Sequence, residues 1–126
     1  NVNLKGKVKK NNIYALSKKY DLALSTITNS KAFQWGTNLN KIYEYLNCGM
    51  PIIFSGKVLF NPVLIAKCGF VCNNFDHINF SKKIIMFSKL NINEKRKLSN
   101  NAKNFFDTNY NLKFQAKKLD NFLKLI

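Results

Sequence analysis

Four short apolar runs, each cut off by glycine, proline or a polar loop, alternate with stretches of helical period. The first is Val2-Asn3-Leu4, ending at Gly6. The second is Asp21-Leu22-Ala23-Leu24-Ser25. The third, Ile52-Ile53-Phe54-Ser55, opens behind Pro51. The fourth is Gly69-Phe70-Val71-Cys72. Runs this short and this continuously apolar suit strands buried on both faces. Between them, Asn12 can cap a helix with Ile13, Leu16 and Tyr20 at helical spacing. A second helix runs from about Asn40 to Cys48 and stops at Gly49, and residues 61–67 allow a third. From Asn79 onward the period is helical throughout. Phe80, Ile84, Ile85, Met86 and Phe87 form one stripe, Leu98, Ala102, Phe105 and Phe106 the next, and Leu112, Phe114, Leu119, Phe122 and Leu123 the last. Alternation of this kind predicts an α/β fold: a Rossmann-like parallel sheet with helices on both faces, ending in a helical C-terminal segment. The phenylalanines at helical spacing are expected in the core, and the last helix is expected to dock on the sheet or on a preceding domain.

Composition adds three bounds. At 126 residues and 46% hydrophobic content there is apolar material for one domain and no room for two. The chain starts at Asn and is read as part of a longer protein. No run approaches the length needed to span a bilayer. Lys plus Arg total 21 against 6 acids, a net charge of +15. That field attracts phosphates, acidic lipids and nucleic acid alike. Only Arg96 is arginine, however, and base-reading surfaces favour the arginine fork, so specific nucleic-acid recognition is not expected. The lysines fall in every segment, which suits a solvated surface. Three cysteines, Cys48, Cys68 and Cys72, cannot close a disulfide set, and the single His77 has no partners for a zinc site. Reduced, partly buried thiols in a cytoplasmic protein are expected, with no metal and no cofactor. His77, beside Asp76, is read as a surface or capping residue.

In open parallel sheets, ligands bind beyond the carboxyl ends of the strands, where loops meet helix N-termini. The loop between Thr28 and Asn38, carrying Trp35 and Gly36, leads into such a terminus at Leu39, Asn40 and Lys41. Unpaired backbone N–H groups and the positive dipole end suit phosphate there. Lys41 in the first helical turn is unfavourable for the helix but adds charge for an anion. Glu44, one turn on, can accept two hydroxyl hydrogen bonds, as from a ribose diol. Alternatively Asn40 is a plain helix cap and Glu44 a solvated helix residue.

The segment from Gly36 to Ser55, with Asn40, Lys41, Glu44, Tyr45, Gly49 and Pro51 in register, resembles the nucleotide-sugar segment of retaining glycosyltransferases of family 4, whose pattern is roughly S-P-N-K-apolar-x-E/D-Y-apolar-x-x-G-x-P-V-I. The flanks are similar to that family too. Val2 to Gly6 resembles its N-V-x-F-x-G strand, Asp21 to Leu24 its A-D-hydrophobic strand, and Asn61 to Val71 its N-x-V-x-x-x-x-C-G-apolar-V stretch. Glu94, Arg96, Asn101 and Ala102 match its E-E-R-x-x-M-G-x-N-A helix.

The resemblance implies a GT-B enzyme of two Rossmann-like domains, with residues 1–126 as the later part of the C-terminal, nucleotide-sugar-binding domain and the N-terminal acceptor domain absent. It implies transfer of a sugar from a nucleotide-diphosphate sugar to a glycan or lipid-linked acceptor, with retention. Carried over by position, Glu44 holds the ribose hydroxyls, and the backbone of Asn38, Leu39, Asn40 and Lys41 approaches the diphosphate. The loop from Thr28 to Gly36 faces the donor sugar. No catalytic residue carries over, and these residues alone do not assemble a complete active site. Two features depart from the pattern. Gly36 stands where many members have a glutamate eight residues before the ribose-binding one, and Asn38 and Leu39 replace the loop's Ser and Pro. The expected location is cytoplasmic, with peripheral contact at the inner face of an anionic membrane as an option for the lysine-rich last helix. Other readings are a GT-B epimerase, a basic non-catalytic module binding anionic membrane or nucleic acid, and an inactive remnant half-domain.

Overall fold

In the computed structural model, residues 6–9, 12–28, 30–33, 39–72 and 76–125 are described. The strand expected at residues 2–4 lies outside them. Among the described residues three strands form one sheet: β1 (Ala23–Thr26), β2 (Ile52–Ser55) and β3 (Gly69–Cys72). They lie in the order β1-β2-β3 and both pairings are parallel. Ala23 sits beside Ile52, and Ile52 beside Gly69. A parallel pair needs a crossover, and the chain supplies α2 (Asn40–Asn47) between β1 and β2 and α3 (Pro62–Ile65) between β2 and β3. A short α1 (Ile13–Ser17) precedes β1. Then α4 (His77–Ser88), α5 (Ile92–Asn109) and α6 (Leu112–Leu123) complete the chain. The α/β architecture read from the sequence is the one observed.

Side-chain alternation assigns the two faces of the sheet. On one face Ala23, Ile27, Ile52 and Phe54 pack with Ile42 and Leu46 of α2, Val63 of α3 and Ala102 of α5. On the other, Ile53 and Cys72 pack with Phe87 of α4, and Leu98 of α5 joins them. All four residues of β2 are buried, as befits a central strand covered on both faces. The second face is incompletely covered over β1. There α4 packs on β2 and β3, and Leu24 remains 45% exposed.

The helix boundaries have local causes. Asn61, Asp76, Asn91 and Asn111 each accept a backbone N–H at the start of α3, α4, α5 and α6. At α5 the cap is reciprocal: Glu94 Oε2 accepts from Asn91 N at 2.8 Å while Asn91 Oδ1 accepts from Glu94 N at 2.9 Å. Pro62 occupies the first turn of α3, where its missing N–H costs nothing. Lys67, just past α3, adopts φ 50°, and its carbonyl accepts from Asn101 Nδ2 at 2.9 Å.

Several expectations need correction. Asn12 sits at the start of α1 but makes no side-chain cap hydrogen bond. In α4, Phe87 is buried, whereas Ile85 and Met86 are exposed. The phenylalanines are not uniformly core: Phe54 and Phe87 are buried, while Phe60, Phe114 and Phe122 are exposed. The last helix does not dock on the sheet. It packs against α5 and buries none of its residues. His77 needs no correction: it is an exposed surface residue, the first of α4, and Asp76 beside it is the cap.

Candidate functional site

The carboxyl edge of the sheet is built by backbone bonds between adjacent strand ends. Ile27 N donates to Ser55 O at 3.0 Å, and Gly56 N donates to Cys72 O at 3.0 Å. Gly56 is required here twice over. Its φ is +147°, and a Cβ would stand 2.2 Å from Ile27 Cγ1. The chain therefore passes directly over the end of β1 before turning away at the exposed Lys57. Sequence reasoning does not single out Gly56 and Lys57 as edge residues. The available signal is the break from apolar residues to Ser-Gly-Lys at residues 55–57.

Because β1 leads through the following loop to α2, the N-terminus of α2 faces this same edge. Leu39 holds the N-cap position with an extended backbone, and no side chain caps the helix. Asn40 is the first helical residue rather than the cap, and Lys41 is exposed in the first turn. No acidic residue occupies that turn. The start of α2 thus combines a positive dipole end with a cation, and it is not closed by its own side chain.

Glu44 lies one turn further along α2 and is partly buried. It lines a cleft of about 140 Å³ with Ile13 and Tyr14 of α1 and with Asn47 and Cys48. Its neighbour Tyr45 has a pKa above the usual phenol value, first because the ring is buried and second because the Glu44 charge lies beside it. Thr28 is exposed beyond the end of β1, and its carbonyl accepts from Ser30 N. The chain thus brings Leu39, Asn40, Lys41 and Glu44 together on one helix start, with Thr28 on the strand end that precedes it. Gly36 and Asn38, with Trp35, lie outside the described residues.

One buried polar group is not singled out by the sequence. Ser25 faces the core between Ala23 and Ile27, and its Oγ has no hydrogen-bond partner among the described residues. Alternation in the run 21–25 places it inward, but nothing in the sequence shows that its hydroxyl goes unpaired.

The helix similar to the family's E-E-R stretch is structural in this chain. Glu94 closes the α5 cap, Asn101 holds the Lys67 carbonyl, and Ala102 is fully buried. Arg96 lines a second cavity of about 260 Å³ with Lys18, Asp21, Cys48 and Lys95. That cavity opens at the amino edge of the sheet, opposite α2's N-terminus. Ser99 Oγ donates to Gly49 O at 2.6 Å beside it, fastening α5 to the turn between α2 and β2.

The three cysteines are free thiols. Cys48 is half-buried, and Cys68 and Cys72 are buried. Burial pushes the Cys68 thiol up to about 12, which makes it a packing residue rather than a nucleophile. Among the described residues no group of three His, Cys, Asp or Glu is placed to hold a metal ion. No family model matches the chain, and no curated protein or solved structure matches it either.

Proposed function

We propose that this chain belongs to the nucleotide-sugar-binding domain of a retaining glycosyltransferase, which moves a sugar from a nucleotide-diphosphate sugar to a glycan or lipid-linked acceptor. The observation that carries the reading is the unit formed by α2, the Gly49 turn and β2. Asn40, Lys41 and Glu44 occupy the first two turns of a helix whose N-terminus meets the carboxyl edge of a parallel sheet. Gly49 ends that helix with φ +67°, and Pro51 leads into the central strand. These are the positions that the sequence resemblance assigns to donor binding.

In this reading the backbone N–H groups from Leu39 to Lys41 receive the diphosphate, and Lys41 adds charge at the same edge. Glu44 accepts the two ribose hydroxyls, a bidentate role that neither the helix dipole nor a lysine can fill. Thr28 stands on the side of the donor sugar. Transfer itself requires an opposing acceptor domain, because closure positions the sugar and excludes water. The proposed setting is the cytoplasm, and this donor-binding scheme calls for no metal.

Saturation-transfer NMR with UDP and with GDP tests the assignment. Both are weak-binding probes of the donor's leaving group, and at least one should receive saturation from the protein. Glu44→Ala should weaken that nucleotide by about tenfold, the cost of losing hydrogen bonds to a charged acceptor. Glu44 is only partly buried, so the variant should keep the fold. Unchanged affinity would remove Glu44 from the site, and no transfer from either nucleotide would remove the nucleotide reading.

A further inference from the structure

The last helix presents an apolar face that nothing in the described chain covers. α6 spans 12 residues and buries none of them. Leu112, Leu119, Phe122 and Leu123 are 83%, 59%, 59% and 60% exposed. At helical spacing Leu112, Ala116, Leu119 and Leu123 fall on one stripe, with Phe122 beside it. Lys113, Lys117 and Lys124 lie together on one flank of that stripe, and Lys118 lies on the other. Lys118 Nζ sits 5.5 Å over the Phe114 ring, and Lys124 pairs with Asp120, the one acid of the helix, at 2.6 Å. An apolar sector bounded by lysines allows the leucines to enter an acyl layer while lysine stems reach back to headgroups.

We propose that α6 lies in the plane of an anionic bilayer surface, with its leucine face in the acyl boundary and its lysines on lipid phosphates. Charge selects this occupant. A second copy would bring one chain of net charge +15 against another, with four lysines around each apolar face. An anionic leaflet offers the opposite charge and the apolar layer together. The helix rests on the surface rather than crossing it: at ~1.5 Å per residue it is about 18 Å long, and no described helix is long and apolar enough to cross a membrane. The proposal does not depend on the transferase reading.

Vesicle co-sedimentation of the 126-residue chain tests it, using phosphatidylcholine with and without phosphatidylglycerol, at low and high salt. The chain should sediment with the anionic vesicles, stay free of the neutral ones, and release as salt rises. A Leu119→Ser, Phe122→Ser double variant should bind about tenfold or more weakly, since two of its four large apolar anchors are gone. Each Lys→Gln change among Lys113, Lys117, Lys118 and Lys124 should cost about fivefold. Both anchors are exposed, so circular dichroism should report an unchanged fold. As a second readout, Phe122→Trp should add indole emission that shifts to the blue on anionic vesicles. Equal binding by the double variant would mean that charge elsewhere on the chain does the binding, and the proposal falls. It falls equally if the emission added by the Phe122→Trp change does not move. A dimer in sedimentation equilibrium that the double variant dissociates, without vesicle binding, would give the face to a second copy instead.

Discussion

Gly49 carries more of the structure than its size suggests. It ends α2 in the left-handed region, where the absence of Cβ makes φ +67° accessible at low cost. Its carbonyl then takes the Ser99 hydroxyl from α5. A Cβ would stand 3.4 Å from Ser99 Oγ, an ordinary contact, so the cost of Gly49→Ala is conformational. Urea unfolding should show a loss of about 1–2 kcal/mol. The thiols allow a prediction of reactivity and pH dependence. Half-buried Cys48 should react first with a disulfide reagent, and Cys68 and Cys72 only on unfolding. Because the folded-state pKa of Cys68 is raised from 9.0 to about 12, the stability tied to its neutral form is fully present below about pH 9 and is lost as pH rises toward 12. The parent should therefore lose more urea stability over that window than Cys68→Ala does. Equal losses would show that the thiol is not the titrating group.

At the scale of elements, the abundant asparagines have a structural use that composition hides. Asn61, Asn91 and Asn111 each begin a helix with a side-chain cap, as Asp76 does. The two helices at the β1 edge, α1 and α2, lack one. Asn91→Ala removes half of a reciprocal pair on an 18-residue helix and should cost about 1 kcal/mol in thermal or urea unfolding, whereas Asn12→Ala should cost almost nothing. Strands β2 and β3 are legible to the residue, because Pro51 and Gly69 bracket runs with no polar interruption. The sequence places the start of β1 two residues early: Asp21 and Leu22 extend the run, but pairing with β2 begins at Ala23. The stripe in α4 is legible as helical, yet not which of its members turn inward, since Ile85 and Met86 are as apolar as Phe87. In α2 the helix and its glycine stop are legible. The identity of the N-cap is not, because Leu39 has no capping side chain to announce it.

For the whole molecule, periodicity predicts that a face is apolar and is silent on what lies against it. That is why α6, for which the sheet is one expected docking surface, stands off the sheet, whereas α5, with a comparable stripe at Leu98, Ala102, Phe105 and Phe106, lies against the core. The layering of helices on both sides of a parallel sheet follows from strands with no polar face and is readable. The chemistry at the carboxyl edge is readable as a motif on α2 but not as a complete enclosure, since Gly56 and Ser25 acquire their meaning only from the neighbouring strand. α5 has a further consequence. It contributes Ala102, Phe105 and Phe106 to one side of the sheet and Leu98 to the other, so this helix, like the central strand β2, is shared by both apolar masses. Loss of either mass would strip apolar cover from that helix. The sheet and its flanking helices therefore form one cooperative block, and α6 is an appendage that can loosen without disturbing it.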